Sequence, residues 1–247
     1  MGKVVAVIPA RFDSARFPGK PLHLIAGKPL VQHVWERCQE ADAFDEVIIA
    51  TDDMRIVEAG FNFGARVALT GSEHPSGTDR VAEVARKLIK ASLVFNIQGD
   101  EPLVAPELLR TLVRKLSRSS SADMITAAVP ISPEQATNPN AVKVVLSASG
   151  LALYFSRSPI PYFRSAGPIA VLKHLGIYGY RRKTLLRLVR LPPSSLEQVE
   201  QLEQLRALEN GMNIRVIVSD IDSIGVDTPE DVPLVERKLL SRHRTPS

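Results

Sequence analysis

The run Val4-Val5-Ala6-Val7-Ile8, closed by Pro9, opens onto a long loop: Ala10-Arg11-Phe12-Asp13-Ser14-Ala15-Arg16-Phe17-Pro18-Gly19-Lys20-Pro21. An unbroken, β-branched apolar run of this length reads as a strand covered on both faces, as in a parallel sheet. Further strands are expected at Glu46 to Ala50, Arg66 to Leu69, Leu93 to Ile97 and Met124 to Val129. Helical periods fall between them, near Pro29 to Ala41, Asp53 to Phe63, Thr78 to Lys90 and Pro106 to Ser117. Right-handed crossovers then make this half a doubly wound α/β layer, mostly parallel.

After Pro130 the rhythm changes. Short strand-like pieces at Val142 to Leu146, Leu151 to Phe155 and His174 to Arg181 are broken by Pro159, Pro161 and Pro168, which predicts an inserted, partly antiparallel section. A helix is expected over Val199 to Asn210, with Val199, Leu202, Leu205 and Leu208 as its buried stripe, and Gly211 stops it. Strand Ile214 to Val218 follows, and a last helix starts at Thr228-Pro229-Glu230-Asp231. The reading is one α/β domain over 1–247, in three sections: 1–130, 131–220 and 221–247.

Composition narrows the function. A chain of 247 residues buries roughly 70–75% of its unfolded surface and needs no staple; the one cysteine, Cys38, rules out a disulfide within it. Cys38 and Trp35 fall in a helical pattern and read as core. His23, His33, His74 and His243 show no metal-ligand spacing. The apolar opening is too short for a signal-peptide core or a membrane span, so a cytoplasmic protein without membrane insertion is expected. The net charge of +4 is a mild excess, and aromatics at 5% give no stacking platform, so nucleic acid is not expected as a partner.

In open α/β sheets ligands lie beyond the carboxyl ends of the strands. Four segments leave such positions. The loop after the first strand is neither a GxGxxG fingerprint nor a Walker loop, since Gly27-Lys28 is followed by Pro29. Its Arg11, Arg16 and Lys20 suit a polyphosphate, although a solvated basic loop has the same composition. Gln98-Gly99-Asp100-Glu101-Pro102 delivers Asp100 to the rim, either as a hard-metal ligand or as a turn former. Gly225-Val226-Asp227 presents a second carboxylate at a strand end, before a capped helix. Glu73 to Arg80 feeds a helix N-terminus that suits an anion or a base.

Taken in order, these residues resemble the CMP-sugar-acid synthetases. The likeness runs through Ile8-Pro9-Ala10-Arg11, Arg16-Phe17-Pro18-Gly19-Lys20-Pro21-Leu22, Ala50-Thr51-Asp52-Asp53, Pro75-Ser76-Gly77-Thr78-Asp79-Arg80 and Asn96-Ile97-Gln98-Gly99-Asp100-Glu101-Pro102. It continues through Asn138 to Lys143, Ala152 to Arg157, His174 to Tyr180 and Leu202 to Arg206 to Gly225-Val226-Asp227-Thr228-Pro229-Glu230-Asp231. It is strongest to members acting on 3-deoxy-manno-octulosonate (Kdo). The resemblance implies a Rossmann-like sheet of the nucleotide-diphospho-sugar transferase type. It also implies transfer of CMP from CTP to the anomeric hydroxyl of Kdo with release of pyrophosphate, activating the sugar for lipopolysaccharide, with Mg²⁺ as cofactor.

On that pattern Asp100 and Asp227 carry the metals, and Lys20 and Arg16 act in catalysis. Arg11, Ser14, Arg16, Lys20, Ser76, Gly77, Arg80 and Gln98 bind CTP; Arg157, His174, Tyr178, Glu203 and Gln204 bind the sugar. A homodimer is implied, and the Pro-broken section from Ser156 to Leu175 is expected to form part of its interface. The stretch between Tyr162 and His174 is shorter than in some relatives, which touches the acceptor assignment more than the donor one. Two other readings stand beside this one: another 2-keto sugar acid such as 8-amino-Kdo as acceptor, and a catalytically silent nucleotide-binding or nucleic-acid-binding protein.

Overall fold

The computed structural model describes residues 2–13, 16–164 and 170–242, the side chain of Arg242 excepted. Residues up to Val113 together with those from Ser223 onward form one compact unit, and Arg114–Asp222 form a second. The first stretch contains β1 (Lys3–Pro9), β2 (Leu24–Ile25), β3 (Lys28–Pro29), α1 (Leu30–Glu40), β4 (Glu46–Thr51), α2 (Met54–Asn62), β5 (Arg66–Leu69), α3 (Gly77–Lys87), β6 (Ala91–Asn96) and α4 (Pro106–Arg118). Then come β7 (Met124–Ile131), α5 (Pro133–Ala136), β8 (Lys143–Leu146), β9 (Ala152–Ser156), β10 (Val171–Arg181), α6 (Arg182–Leu188), α7 (Ser195–Glu200), α8 (Gln204–Glu209), β11 (Ile214–Val218) and finally α9 (Val232–Arg242).

In the first unit the strands run β6-β1-β4-β5, all parallel. Val5, Ala6, Val7 and Ile8 of β1 are wholly buried, as an unbroken apolar run requires. From β1 the chain winds outward to β4 and β5, then returns past β1 to β6. The winding therefore reverses between β1 and β6, the switch point at which open α/β sheets bind ligands. The turn after β6 lies close against the end of β1: a Cβ on Gly99 would fall 2.7 Å from the Pro9 carbonyl oxygen. Only glycine fits there without moving main chain.

In the second unit β7 runs parallel to β11 and antiparallel to β10, while β8 runs antiparallel to both β10 and β9. The expected partly antiparallel section is present. The sequence reading placed internal changes after residues 130 and 220, whereas the units divide after Val113 and Asp222; β7 looks like a strand of the parallel layer in sequence but pairs within the second unit.

One expected helix is two. Ser194 and Glu197 form a capping box that starts α7 earlier, and Gln201, at φ 55°, ends it. Val199 is consequently 82% exposed and outside the stripe, whereas Leu202 and Leu205 are buried. The last helix does begin at Thr228, through a capping box with Asp231 and a 3₁₀ turn ahead of α9. Among the described residues no helix is long and apolar enough to cross a membrane.

Replacing Gly99 by Ala is expected to cost about 1–3 kcal/mol, the usual range for forced overpacking, and to lower the thermal midpoint by several degrees. An unchanged midpoint in a thermal melt would contradict the close approach.

Candidate active site at the sheet switch point

The carboxyl ends of β1 and β6 open into a cleft of about 260 Å³ lined by Arg11, Lys20, Gly77, Gln98, Gly99 and Asp100 among others. Its chemistry centres on Lys20. The Nζ donates to Asp100 Oδ2 at 2.7 Å and to the Val226 carbonyl at 2.9 Å, and lies 3.9 Å from Asp227 Oδ1. Arg16 reaches Asp227 Oδ1 at 3.1 Å. Asp100, Val226 and Asp227, from two stretches of chain distant from the Lys20 loop, thus meet around one cation.

No strand leads into Asp227, contrary to the sequence reading; β11 ends at Val218. A main-chain bond from Val226 N–H to the Asp100 carbonyl, 2.8 Å, brings it to the rim instead. Beneath it Phe17, Ile25, Leu30, Leu103, Val226, Val235 and Leu239 form one apolar cluster. Burying a side chain of this kind is worth about 1.5–3 kcal/mol. An ion pair as exposed as Arg16–Asp227, with side chains 67% and 58% accessible, contributes about 0–1 kcal/mol. Hydrocarbon therefore sets the geometry, and the charges standing beside Phe17 and Val226 are held in place by it.

The loop has a second anchor that sequence reasoning missed. The Arg55 guanidinium stacks 3.3 Å from the centre of the Phe12 ring, and Asp53 grips that guanidinium through Nε (2.9 Å) and an Nη (2.6 Å). This pairing holds the Asp53 carboxyl below the usual carboxylate range. Gly19, where a Cβ would fall 3.2 Å from Phe12 Cζ, takes φ 72° and donates its N–H to the Phe12 carbonyl at 2.9 Å. The only hint in the sequence was an aromatic among cations; that β4 lies beside β1, which brings Arg55 within reach, is a fact of topology.

The other donor-side residues divide. Arg11 donates to the His74 carbonyl at the cleft wall. His74 in turn hydrogen-bonds Glu83 at 2.6 Å, which draws the Glu83 carboxyl down to about 2. Ser76 caps α3, its Oγ accepting from the Asp79 N–H, and leaves Gly77 at the cleft. Arg80 does not reach the cleft: it is fully buried, bonded to Thr70 Oγ1 at 2.5 Å and Asp52 Oδ2 at 2.9 Å. It braces the end of β4 against α3. Ser14 lies outside the described residues.

In the second unit the acceptor-side residues form an aromatic group. The His174 ring lies 5.1 Å from Phe155 and 5.2 Å from Tyr178, and the Tyr180 ring lies 5.9 Å from that of Tyr178. Burial lowers the His174 pKa to about 3, so the ring is neutral. Its Nε2 lies 2.9 Å from Thr126 Oγ1, whose own proton points at the Leu175 or Ile177 carbonyl. Nε2 is then the donor, and Nδ1 is the ring's acceptor. Burial, and then the charges of Tyr180 and Glu203, raise Tyr178 well above its ordinary value, keeping it a hydroxyl donor.

Gln204 is buried, and Glu203 is the N-cap residue of α8. Arg157 is occupied by main chain: Nε donates to the Glu200 carbonyl (2.9 Å), and its two Nη groups to Pro139 (3.1 Å) and Gln201 (3.3 Å). It ties down the end of α7, and a carboxylate would have to compete with three carbonyls for it.

The family model for cytidylyltransferases matches residues 5–214. The chain belongs to the cytidylyltransferase family. A relative from Geobacter sulfurreducens, a 3-deoxy-manno-octulosonate cytidylyltransferase, is 48% identical, with 96% of this chain and 99% of that one covered. Another of the same name, from Syntrophobacter fumaroxidans, is 51% identical over 94% and 95%. A solved CMP:2-keto-3-deoxy-manno-octonic acid synthetase complexed with CTP superposes at TM-score 0.94, with 44% identity and 97% and 99% coverage. A 4-diphosphocytidyl-2C-methyl-D-erythritol synthase from Anaerococcus prevotii, at 13% identity, TM-score 0.65 and the same coverage of the two chains, shares the fold alone. This cytidylyltransferase is thus a nucleotidyltransferase, with the mixed, mostly parallel sheet of its relatives.

Arg55→Ala in this cytidylyltransferase is expected to speed exchange of the Gly19 amide about two- to fivefold, matching about 0.5–1 kcal/mol for a cation–π contact of this kind. Unchanged exchange would show that Phe12 is held by other means.

Proposed function

We propose that this cytidylyltransferase transfers CMP from CTP to the anomeric hydroxyl of Kdo and releases pyrophosphate. The observation that carries this reading is the meeting of Asp100 and Asp227 around the Lys20 ammonium at the switch-point cleft. The named relatives supply the donor and acceptor. In the reaction an oxygen–phosphorus bond forms between the anomeric oxygen and the α-phosphorus, the bond to the bridging β-phosphate oxygen breaks, and the hydroxyl proton leaves.

Arg11, Arg16 and Lys20 hold the triphosphate and meet the charge gathering on the departing pyrophosphate. Gln98 and the α3 N-terminus at Ser76 and Gly77 face the nucleotide. In the second unit His174, Tyr178, Glu203 and Gln204 offer a neutral ring, a phenol, a carboxylate and an amide to the sugar's hydroxyls. Arg157 is assigned to its carboxylate. The cleft also suits Mg²⁺: Asp100 Oδ2, Asp227 Oδ1 and the Val226 carbonyl already surround a cation. Among the described residues no group of three or more His, Cys, Asp or Glu is placed to hold a metal ion; Mg²⁺ would rely on one or two carboxylates and take its other ligands from water and phosphates. Asp100 and Asp227 would hold Mg²⁺, which would supply positive charge to the phosphates and acidity to the attacking hydroxyl.

The reading includes a homodimer and a cytoplasmic setting. Tyr162, 86% exposed, and Phe163, 40%, present apolar surface within the stretch expected at the interface; residues 165–169 of that stretch lie outside the described ones.

Pyrophosphate release from CTP by the full chain with Mg²⁺ is expected with Kdo and to be slower with 8-amino-Kdo; no turnover with Kdo would overturn the assignment. Asp100→Ala and Asp227→Ala are each expected to lose at least about 10²-fold in kcat with an unchanged circular dichroism spectrum. Near-normal turnover in either would remove that residue from the site.

A further inference from the structure

The second unit contains a concavity of about 440 Å³ lined by Arg114, Lys115, Arg118, Ser119 and Arg215. None of its lining residues is assigned to the transferase reaction, and four of its five lining side chains are cations. Arg114 and Arg118 stand one helical turn apart on α4, while Arg215 comes from β11, so two separate elements bring charge to one hollow. Arg215 is oriented by a bond from its Nη to the Ser149 carbonyl at 2.8 Å. Among the described residues no acidic side chain pairs with Arg114, Lys115 or Arg118, although elsewhere in the chain Arg37, Arg55, Arg66 and Arg206 each hold a carboxylate.

Bases near a helix C-terminus ordinarily answer its dipole. Here that requirement is met from elsewhere: Arg181 donates to the Ser119 carbonyl and, at 3.0 Å, to the Ala122 carbonyl, capping the segment that leaves α4. The dipole also gives no reason for Arg215. Like charges gathered without a counter-charge repel, and an anion removes that cost. The volume lies within the roughly 300–1,000 Å³ of small-ligand sites. No aromatic lines it, so nothing stacks a base, whereas guanidinium forks match phosphate oxygens.

We propose that this hollow is a second anion site, for a free polyphosphate-class anion, separate from the nucleotide cleft. A concave site suits a small free anion rather than a flat membrane surface.

The test is calorimetric titration of the full chain with inorganic triphosphate in an Arg16→Ala/Lys20→Ala background, which weakens uptake at the nucleotide cleft. Saturable binding is expected to persist there and to weaken at least tenfold when Arg114→Ala and Arg118→Ala are added, as for two lost charge-assisted hydrogen bonds. The Arg114→Ala/Arg118→Ala variant on its own is expected to keep the thermal midpoint and the turnover with saturating substrates, so failure of this site and failure of the transferase reading give different results. The proposal is overturned if affinity is the same with and without those two arginines, or if the background variant takes up no triphosphate. It is equally overturned if the arginines govern sedimentation with phosphatidylglycerol vesicles but not triphosphate uptake.

Discussion

The ammonium of Lys20 holds the site of this cytidylyltransferase together. It joins the loop after β1, the turn after β6 and the segment returning from the second unit, and it bonds a carboxylate, a carbonyl and, less closely, a second carboxylate. Remove that cation and Asp100 and Asp227 face each other with less to balance them. A site built this way accepts one positive charge readily and leaves most of its coordination open, which is what an anionic, metal-accompanied substrate needs.

The forces that build the site differ from those that operate it. Phe17 and Val226 are buried in one apolar cluster with residues of α1 and α9, and a main-chain hydrogen bond aligns Val226 with Asp100. Those contacts supply kilocalories. The ion pair of Arg16 and Asp227, exposed and screened, supplies little. The same division holds at the other end of the loop, where Asp53 and Arg55 clamp Phe12 and leave Arg11 and Lys20 to face the cleft. Cations on a mobile loop would be expensive to order on binding; here the ordering comes with folding.

Much of this was legible in the sequence because burial on both faces writes itself as runs such as Val4 to Ile8, and because strand ends mark where ligands go. That rule put Asp100 at the rim, while the choice between a metal ligand and a turn former came only with the family resemblance. Asp227 was found for a partly wrong reason, since hydrogen bonding to the Asp100 carbonyl, not a strand, delivers it. The break at Gln201 left no signal: a left-handed glutamine looks like any other residue in a helical period. Arg80 matched a binding motif, yet the motif's spacing could not reveal that Thr70 and Asp52 would hold it inside. Arg55 and Phe12 needed the neighbourhood of β1 and β4, which is tertiary information.

The most direct test of the central claim is a double-mutant cycle on kcat/KM with Asp100→Asn, Asp227→Asn and both together. If the two acids act around one cation, the combined variant loses far less than the product of the single losses, a coupling of about 1–3 kcal/mol. Losses that simply multiply would mean that the carboxylates work independently and that the site at the switch point is not one unit.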